Sequence, residues 1–316
     1  MRPVPVGVIG VGALGSHHAR HLAAFPEATL VGVHDIDHHR GDAVARSVGT
    51  TFYPTLDALL RDVEAVTVAV PTAVHAEIGL QALERGRAVL MEKPLASSLT
   101  EADALIAAAA QRGLPLQVGH VERFNRAVRA ARPYLGEVRY FESTRLAPFQ
   151  PRGSDVAVLL DLMIHDLDLV LHLSRGAAIA DVRASGTAVL TRHLDIANAR
   201  VEFAGGAVAN ITASRVARER VRRLRLFQAN GYFSLDLAAG AGVFMRLRED
   251  RSPTAASLED LVEVVPLTAP ESDALGDELA SFVRSVRGQV EAVVSGAEGR
   301  AALALALRVG EAVVGA

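Results

Sequence analysis

The spacing of apolar and polar positions divides the chain into two differently built parts. Up to about residue 120, short apolar runs alternate with segments of helical periodicity. Five strands are predicted, over Val4–Ile9, Ala28–Asp35, Val63–Val70, Ala88–Glu92 and Leu116–His120, with helices up to about Ala24 and over Thr55–Arg61, Val74–Arg85 and Leu99–Arg112. Strands that alternate with helices are typical of βαβ units in a parallel sheet. We therefore predict an α/β Rossmann-type domain, a doubly wound parallel sheet, over residues 1–120.

After residue 120 the alternation ends, and beyond a predicted helix over Asp155–His172 strands follow one another without intervening helices. Asn230-Gly231 is a strong hairpin signal between two of them. Predicted strands are Val138–Leu146, Ile196–Phe203, Val208–Ser214, Leu224–Gln228, Tyr232–Leu237, Val243–Leu247 and Leu261–Val265; predicted helices are Phe124–Leu135, Asp155–His172, Asp273–Arg287 and Glu298–Val313. This pattern predicts an α+β domain over residues 121–316, with an antiparallel or mixed sheet and a last helix able to pack back on the first domain.

The amino-acid composition excludes several classes of protein. The 316 residues are 50% apolar with a net charge of −3, which argues against disorder and against a general nucleic-acid binder. The chain has no cysteine, so disulfides and thiolate catalysis are excluded. No apolar run approaches the roughly 18 residues of a membrane span. Three glycines interrupt the apolar start of the chain, which we interpret as a first strand rather than a secretory signal, and we expect a cytoplasmic protein.

A glycine-rich segment follows the first predicted strand. Gly10, Gly12 and Gly15 have the dinucleotide-binding spacing, and Asp35 ends the next strand where a ribose-binding carboxylate is expected. An ordinary glycine turn is the alternative. A carboxylate repels a 2′-phosphate, so NAD is favoured over NADP, and Arg40 softens that preference. The residues assigned to the cofactor in this part of the chain are Gly10, Gly12, Ala13, Leu14, Gly15 and Asp35.

Two further segments follow predicted strands, at the sheet edge where ligands bind in open α/β sheets. The 33 basic residues include a single lysine, Lys93, within Glu92-Lys93-Pro94. Lysine, unlike arginine, shifts its pKa readily and exchanges protons. A surface ion pair is the alternative to a functional lysine. Pro71-Thr72 and His75 follow the third strand, either lining the nicotinamide side or simply starting a helix.

The spacing of Asp161, His165 and Asp168 predicts that they share one face of a helix. A carboxylate one turn from an imidazole can orient it as a general base. A partly exposed polar helix face is the alternative. We expect no metal, since the His17/His21 pair has no apparent third ligand. The arginines between Arg215 and Arg225 indicate a solvated or interface strand, with binding of an anionic substrate as the less common alternative.

These residues together resemble the glucose–fructose oxidoreductase / inositol dehydrogenase (Gfo/Idh/MocA) family over essentially the whole chain. The resemblance rests on the glycine loop, Asp35, Glu92-Lys93-Pro94, the Asp161/His165 pair, and Val294-Ser295-Gly296 followed by Glu298-Gly299-Arg300. It implies a Rossmann domain followed by an α+β domain with a large open, mostly antiparallel sheet. It also implies homodimers or homotetramers built through that sheet.

The resemblance also implies residue roles. By position, Lys93 would bind the reacting sugar hydroxyl, His165 would be the general acid/base, and Asp161 would orient it or complete the dyad. Segments 119–125 and 162–168 further resemble the subgroup that oxidises the 3-hydroxyl of UDP-N-acetylglucosamine or related nucleotide sugars. In that subgroup Arg123, Asn125 and Arg145 would contact sugar or diphosphate. Arg126 departs from the subgroup's pattern, where proline is expected, and this puts the start of the substrate-side helix in doubt.

We therefore expect an NAD-dependent dehydrogenase acting on a secondary alcohol of a sugar, with a UDP-N-acetylhexosamine oxidised at C3 as the first hypothesis. One alternative is a dehydrogenase of a free polyol or monosaccharide such as inositol or glucose. The other is a non-catalytic NAD-dependent sugar sensor. Retention of both a lysine and an Asp/His pair disfavours the sensor, which needs neither. A small-molecule sugar or nucleotide sugar is the expected partner, without nucleic acid or membrane.

Overall fold

The computed structural model describes residues 2–150, 156–250 and 257–314. The chain forms two structural units. Unit 1 contains Met1–Val121 and Asp273–Leu303, and unit 2 contains Glu122–Ser272 and Ala304–Ala316. Each unit has a sheet of its own, which in the described residues has six strands in unit 1 and eight in unit 2. Within the described ranges, no helix is both long and apolar enough to cross a membrane.

Unit 1 is built on a parallel sheet with the strand order β3-β2-β1-β4-β5-β6. The strands are β1 (Val4–Ile9), β2 (Ala28–His34), β3 (Thr51–Phe52), β4 (Ala65–Val68), β5 (Ala88–Glu92) and β6 (Leu116–Gly119). Its helices are α1 (Gly15–Ala24), α2 (His38–Val48), α3 (Leu56–Asp62), α4 (His75–Glu84) and α5 (Leu99–Arg112), with α9 (Ala274–Val286) later in the chain. The predicted Rossmann-type sheet is confirmed.

Local sequence signals fix the helix ends in unit 1. Ser98 and Glu101 form a reciprocal capping box at the start of α5, and Gly113 ends that helix in the left-handed region at φ 62°. Asp37 caps α2 by accepting from the backbone N–H of Arg40. The prediction missed α2 and β3. Only Gly41 and Ala45 are buried on α2, so the helix has almost no apolar stripe to recognise.

The C-terminal segment Asp273–Leu303 belongs to unit 1, whereas the sequence analysis placed all of 121–316 in the second domain. The cause is the apolar face of α9. Leu279, Phe282 and Val283 are buried in the same core cluster as Val8 of β1 and Leu22 of α1. The first eight residues of α10 (Gly296–Val314) are assigned to unit 1 and the rest of that helix to unit 2.

Unit 2 is built on a mostly antiparallel sheet in the order β14-β13-β12-β11-β7-β10-β9-β8, in which β10 and β7 form the one parallel pair. Its strands are β7 (Val138–Leu146), β8 (Ile179–Thr187), β9 (Ile196–Phe203), β10 (Val208–Ser214), β11 (Val221–Gln228), β12 (Gly231–Asp236), β13 (Ala241–Leu247) and β14 (Val262–Leu267). Its helices include α6 (Arg126–Ala131), α7 (Ile164–Leu173) and α8 (Leu258–Leu261). The predicted fold class is confirmed for this part as well.

Two predicted helices of unit 2 differ from the structure. Phe124–Leu135 is broken into the short helix α6 between two 3₁₀ turns, Val121–Phe124 and Arg132–Tyr134. Pro133 lies at the start of the second turn, where proline is compatible with a helix beginning. The predicted helix over Asp155–His172 has a π-helical turn, Leu159–Met163, before α7. Its predicted N-cap, Asp155, lies outside the described residues.

The sheet of unit 2 has one apolar face and one mixed face. α6 and α7 pack against the apolar face, where Phe141, Leu224 and Phe233 are buried. On the opposite face, Glu142, Arg225, Tyr232, Val243 and Met245 are among the side chains that line a shallow concavity of ≈ 350 Å³. Successive side chains of a strand point to opposite faces of the sheet, so Leu224 of β11 lies on the apolar face and Arg225 on the mixed face. We call the mixed side the open face.

Candidate active site

The glycine loop joins β1 to α1 in unit 1. Gly10 has φ 80°, and a Cβ on Gly15 would lie 1.8 Å from the carbonyl oxygen of Gly10, so both positions require glycine. Apart from its chain neighbours, no described atom lies within 4 Å of the point that a Cβ on Gly12 would occupy. The N-cap residue of α1 is Leu14, which has no side-chain acceptor for the helix amides. Open space over Gly12 and uncapped amides fit a pyrophosphate.

Asp35 follows β2 and is buried at 3% exposure. Its carboxylate accepts from the backbone N–H of Val11 at 2.8 Å and of Asp37 at 2.8 Å, so it is fixed to the glycine loop. Arg40 donates to both carboxylate oxygens, at 3.0 and 2.6 Å. Burial opposes ionisation, but these donors outweigh it and lower the pKa of Asp35. An ionised carboxylate at this position fits the ribose diol of NAD. Its pairing with Arg40, which the sequence named only as softening the preference for NAD over NADP, is a finding of the structure.

Glu92 ends β5 and is buried at 8% exposure. Its Oε1 lies 3.0 Å from Nε2 of His18 on α1, and its Oε2 accepts from the backbone N–H of Lys93 at 3.1 Å. Burial opposes ionisation of Glu92, but His18 and Lys93 outweigh this and lower its pKa. Glu92 therefore anchors the backbone of Lys93, the half-buried lysine that follows the strand.

His18 is a site residue that the sequence analysis missed. It is buried at 1% exposure, on the face of α1 opposite the exposed His17. The sequence drew attention instead to His17 and His21, and the structure places His21 next to Asp273, 2.9 Å from its carboxylate. Across the described residues, no group of three or more potential metal ligands is present. The sequence signal that could have identified His18 is its position, three residues after Gly15 on the helix face directed at the sheet.

Pro71, Thr72 and His75 lie after β4, in the loop and first turn of α4. The His75 ring is buried, with Nδ1 2.8 Å from the carbonyl oxygen of Pro94 and Nε2 2.9 Å from that of Val70. Burial lowers the pKa of His75. The imidazole thus links the two loops that follow β4 and β5. Thr72 contributes to the same link between the loops, because its carbonyl oxygen accepts a hydrogen bond from the Ser97 hydroxyl at 3.2 Å.

The π-helical turn Leu159–Met163 of unit 2 carries Asp161, and α7 carries His165. Single π-helical turns inside α-helices are rare and occur frequently at functional sites. Both side chains are half-buried. Asp168 differs from these two because it is buried at 1% exposure and its carboxylate accepts two hydrogen bonds from Arg123, at 2.6 and 2.7 Å. Asp168 thus pairs with an arginine, while Asp161 and His165 retain partial exposure.

Arg123 and Asn125 are also held within unit 2. Arg123 is 1% exposed and, besides Asp168, donates to Nδ1 of His172 at 2.7 Å. Asn125 caps α6 by accepting from the backbone N–H of Ala127 at 3.0 Å. Its amide group donates to Glu122 and to the carbonyl oxygen of Leu237. Asn125 therefore provides a defined start for α6, although Arg126 stands where proline was expected.

Arg145 lies on β7 and is buried in a charged cluster. Its Nε donates to Asp166 Oδ2 at 2.6 Å, and its Nη1 donates to Glu122 Oε1 at 2.9 Å. Burial opposes the charge, but the two carboxylates outweigh this and raise the pKa of Arg145. Asp166, which also accepts from the hydroxyl of Ser143, immediately follows His165. The cluster thus fixes the helix position next to the candidate base.

The structure therefore groups the predicted residues by unit. In unit 1 the glycine loop, Asp35, the loop with Pro71 and His75, and Glu92-Lys93 all lie at the carboxyl ends of parallel strands, where α/β sheets bind ligands. In unit 2 Arg123, Asn125 and Arg145 lie in or beside buried polar networks. Their predicted contacts with sugar or diphosphate stay predictions.

Comparison with known proteins agrees with this arrangement. The chain is 40% identical over 308 residues to UDP-N-acetylglucosamine 3-dehydrogenase of Acidithiobacillus ferrooxidans, covering 97% of this chain and 96% of that protein. The solved structure of that enzyme, GnnA, superposes with a TM-score of 0.92 at 39% identity, over 99% of this chain and 98% of that one. The structure of GenD2 from gentamicin A biosynthesis in complex with NAD gives a TM-score of 0.82 at 25% identity, covering 99% and 95%.

More distant relatives include scyllo-inositol 2-dehydrogenase (NAD(+)) of Bacillus subtilis, 30% identical over 233 residues, which covers 68% of each chain. Residues 4–120 match the oxidoreductase family with an NAD-binding Rossmann fold, GFO_IDH_MocA, and residues 128–234 match the GFO/IDH/MocA C-terminal domain. The cofactor is NAD, in agreement with the glycine loop and the Asp35 carboxylate. The chain belongs to the Gfo/Idh/MocA family of NAD-binding oxidoreductases.

Proposed function

We propose that the protein is an NAD-dependent dehydrogenase that oxidises the C3 hydroxyl of UDP-N-acetylglucosamine or a closely related UDP-N-acetylhexosamine. The observation that carries this proposal is the 40% identity, over 97% of the chain, to a UDP-N-acetylglucosamine 3-dehydrogenase. The scyllo-inositol 2-dehydrogenase matches 68% of the chain at 30% identity, and the inositol dehydrogenases that match 96% and 95% of it are 26% and 25% identical. The nucleotide sugar is therefore favoured over a free polyol.

The proposed mechanism assigns one role each to His165, Asp161 and Lys93. His165 takes the proton of the substrate hydroxyl, and Asp161 orients the imidazole and stabilises its charged form. Lys93 donates a hydrogen bond to the oxygen as negative charge develops on it and helps to relay the proton to His165. Held by the glycine loop and Asp35, NAD would supply the acceptor for the hydride of the carbinol carbon. The products are then the ketone, NADH and a proton held on His165.

The proposed cofactor residues all belong to unit 1. Two glycines shape the loop, the space over Gly12 takes the pyrophosphate, and the Asp35 carboxylate takes the adenosine ribose hydroxyls. Glu92 and His75 hold the loops after β5 and β4 in position. The full set is Gly10, Gly12, Ala13, Leu14, Gly15, Asp35, Pro71, Thr72, His75 and Glu92. In unit 2, Arg123, Asn125 and Arg145 are the residues proposed to contact the sugar or the diphosphate of the substrate.

The test is a comparison of NADH formation by the purified protein with UDP-N-acetylglucosamine, N-acetylglucosamine and myo-inositol. We expect reduction of NAD with the UDP-sugar and much slower turnover with the other two. Faster turnover with myo-inositol would replace the substrate in this proposal. NAD binding without turnover on any sugar of a broad panel would favour a sensor instead.

Replacement of Lys93 by Met tests the proposed chemistry. We expect kcat to fall by about two to four orders of magnitude, the usual contribution of proton-transfer groups, while NAD still raises the melting temperature. Lys93→Arg is the matched control, since it keeps a cation but does not readily give up a proton. Near-normal turnover of Lys93→Met would exclude the assigned role.

The open face of the unit 2 sheet supports a further part of the proposal, a homodimer or homotetramer formed through it. Arg225 pairs with Glu142 at 3.0 Å and lies 5.6 Å from the ring of Tyr232, so the face is ordered and mixed in polarity. Interfaces between subunits favour such aromatic and arginine side chains. Light scattering coupled to gel filtration gives the mass in solution.

We also propose a cytoplasmic location for the protein, because NAD and nucleotide sugars are produced in that compartment.

A further inference from the structure

Two arginines lie directly opposite each other on neighbouring strands of unit 2. Arg145 of β7 pairs in register with Arg222 of β11, and both side chains are directed at the same carboxylate, Glu122. Like charges directly opposite each other destabilise a sheet. Positions at which a sequence breaks such a local rule are often functional.

The two arginines share the available negative charge unequally. Arg145 is 3% exposed, lies 2.9 Å from Glu122 and also makes two contacts with Asp166, at 2.6 and 3.3 Å. The other oxygen of Glu122 accepts from Asn125 at 2.9 Å. Both carboxylates of the cluster are thus already used by Arg145 and Asn125.

Arg222 has the weaker contact with these carboxylates. Its Nη1 lies 3.5 Å from Glu122 Oε1, beyond the distance of a strong charged hydrogen bond, and 38% of its side chain is exposed. Partial burial and the neighbouring cations Arg145 and Arg220 lower the pKa of Arg222. A guanidinium that is partly desolvated and shares its carboxylate is stabilised by a further anion.

We propose that Arg222 binds the diphosphate of the nucleotide-sugar substrate, with two of its guanidinium N–H groups donating hydrogen bonds to phosphate oxygens. The inference rests on the proposed function and adds a residue to its substrate side. Planar guanidinium groups bind phosphate in this bidentate manner. The cluster includes Asp166, the residue after the proposed base His165, so an anion on Arg222 lies on the part of unit 2 that carries the reacting sugar.

The test compares Arg222→Gln with a matched control, Arg200→Gln. Arg200 lies on β9 of the same sheet, is 42% exposed and also has a carboxylate partner, Glu202 at 2.9 Å. For Arg222→Gln we expect the KM for UDP-N-acetylglucosamine to rise about tenfold or more, the usual effect of losing a charged hydrogen bond. We expect kcat to change by less than about threefold. Arg200→Gln should leave both constants unchanged.

Calorimetric binding of uridine, UMP and UDP supplies a readout that does not depend on turnover. In the unaltered protein we expect affinity to increase as phosphates are added. In Arg222→Gln that increase should be largely lost, while uridine binds as before, and Arg222→Lys should restore part of it. The NAD-dependent rise in melting temperature should be the same in all variants.

The outcomes separate this inference from the proposed function. An active enzyme whose Arg222→Gln variant keeps its KM and its UDP affinity would overturn the role of Arg222 and leave the function standing. Equal losses for uridine and UDP would also overturn it, because they indicate a general disturbance of the sheet. Absence of turnover with every UDP-sugar would overturn the function, while selective loss of UDP affinity would still support an anion site at Arg222.

Discussion

At the scale of single residues, the buried Glu92 connects the first helix to the lysine proposed to act on substrate. Its two carboxylate oxygens have different partners, His18 on one side and the backbone of Lys93 on the other. His18 Nδ1 has no hydrogen-bond partner among the described residues, so the contact of the ring with Glu92 is its main polar anchor. The position of the Lys93 backbone therefore depends on a histidine that lies 74 residues before Glu92 in the chain.

Replacement of His18 by Leu tests this dependence. The change leaves the buried Glu92 carboxylate with one donor fewer, so we expect the free energy of unfolding to fall by about 1–3 kcal/mol. We also expect kcat to fall, because the backbone that positions Lys93 loses its support. His18→Gln is the control, since its amide N–H can replace the Nε2 donor. Urea unfolding and steady-state kinetics measure both effects, and a Leu variant as stable and active as the Gln variant would exclude this role.

The site residues that were proposed from the sequence share one property, namely that their signals are local. The spacing of Gly10, Gly12 and Gly15 reports a turn and a helix start within a few residues, and its NAD-binding role follows from chemistry that any such loop has. His18 and Arg222 acquire their importance from partners far away in the chain, Glu92 and the Arg145 cluster. Neither pairing has a sequence spacing that could have predicted it.

At the scale of elements, prediction succeeded where one face of an element is buried. The bounds predicted for β1, β5, β7, β9, β10 and α5 are those of the structure, because apolar side chains alternate or repeat along them. β8 was missed because it is an edge strand whose side chains are all half-buried or exposed. The first residues of β11 were missed because arginines replace apolar side chains there.

The Asp195 carboxylate orders the loop between β8 and β9. Asp195 is fully buried and accepts from the backbone N–H groups of Val189, Leu190 and Thr191 at 2.6–2.8 Å, and from the Thr191 hydroxyl at 2.8 Å. Burial opposes its ionisation, but these donors outweigh it and lower the pKa of Asp195 far below its usual range. The loop is thus organised around a carboxylate that is ionised at neutral pH.

Replacement of Asp195 by Ala should therefore destabilise unit 2 in a pH-dependent way. At neutral pH the change leaves buried donors unsatisfied, so we expect a loss of about 1–3 kcal/mol in the free energy of unfolding. The folded pKa is depressed, so the stabilisation by Asp195 is complete above the unfolded pKa of about 3.9 and is lost as the pH falls below it. The difference between the two proteins should shrink below about pH 4.

Urea unfolding at several pH values measures this difference. Asp195→Asn serves as the control, because its amide oxygen still accepts hydrogen bonds but carries no charge, and its loss should be smaller at neutral pH. A difference between the unaltered protein and Asp195→Ala that stays constant from neutral to acidic pH would contradict the ionised state of Asp195 as the source of stability.

At the scale of the whole molecule, the nucleotide-binding unit is discontinuous in sequence. Its parallel sheet is complete by Gly119, yet its core includes residues of α9, more than 150 positions later. The sequence analysis located α9 correctly as a helix, but an apolar helix face does not indicate which sheet it covers. For that reason the second domain was predicted to include a segment that belongs to unit 1.

Replacement of Phe282 by Ala tests whether α9 completes the core of unit 1. Phe282 is fully buried in the cluster that contains Val4 and Val8 of β1, so we expect the free energy of unfolding to fall by about 3–5 kcal/mol. Phe149→Ala makes the same chemical change at a side chain that is 42% exposed and should have little effect. Because NAD binds the folded unit, it should raise the melting temperature of both variants from their different starting values. Equal stability of the two variants would mean that the β1 core is closed without α9, and that the nucleotide-binding unit is continuous after all.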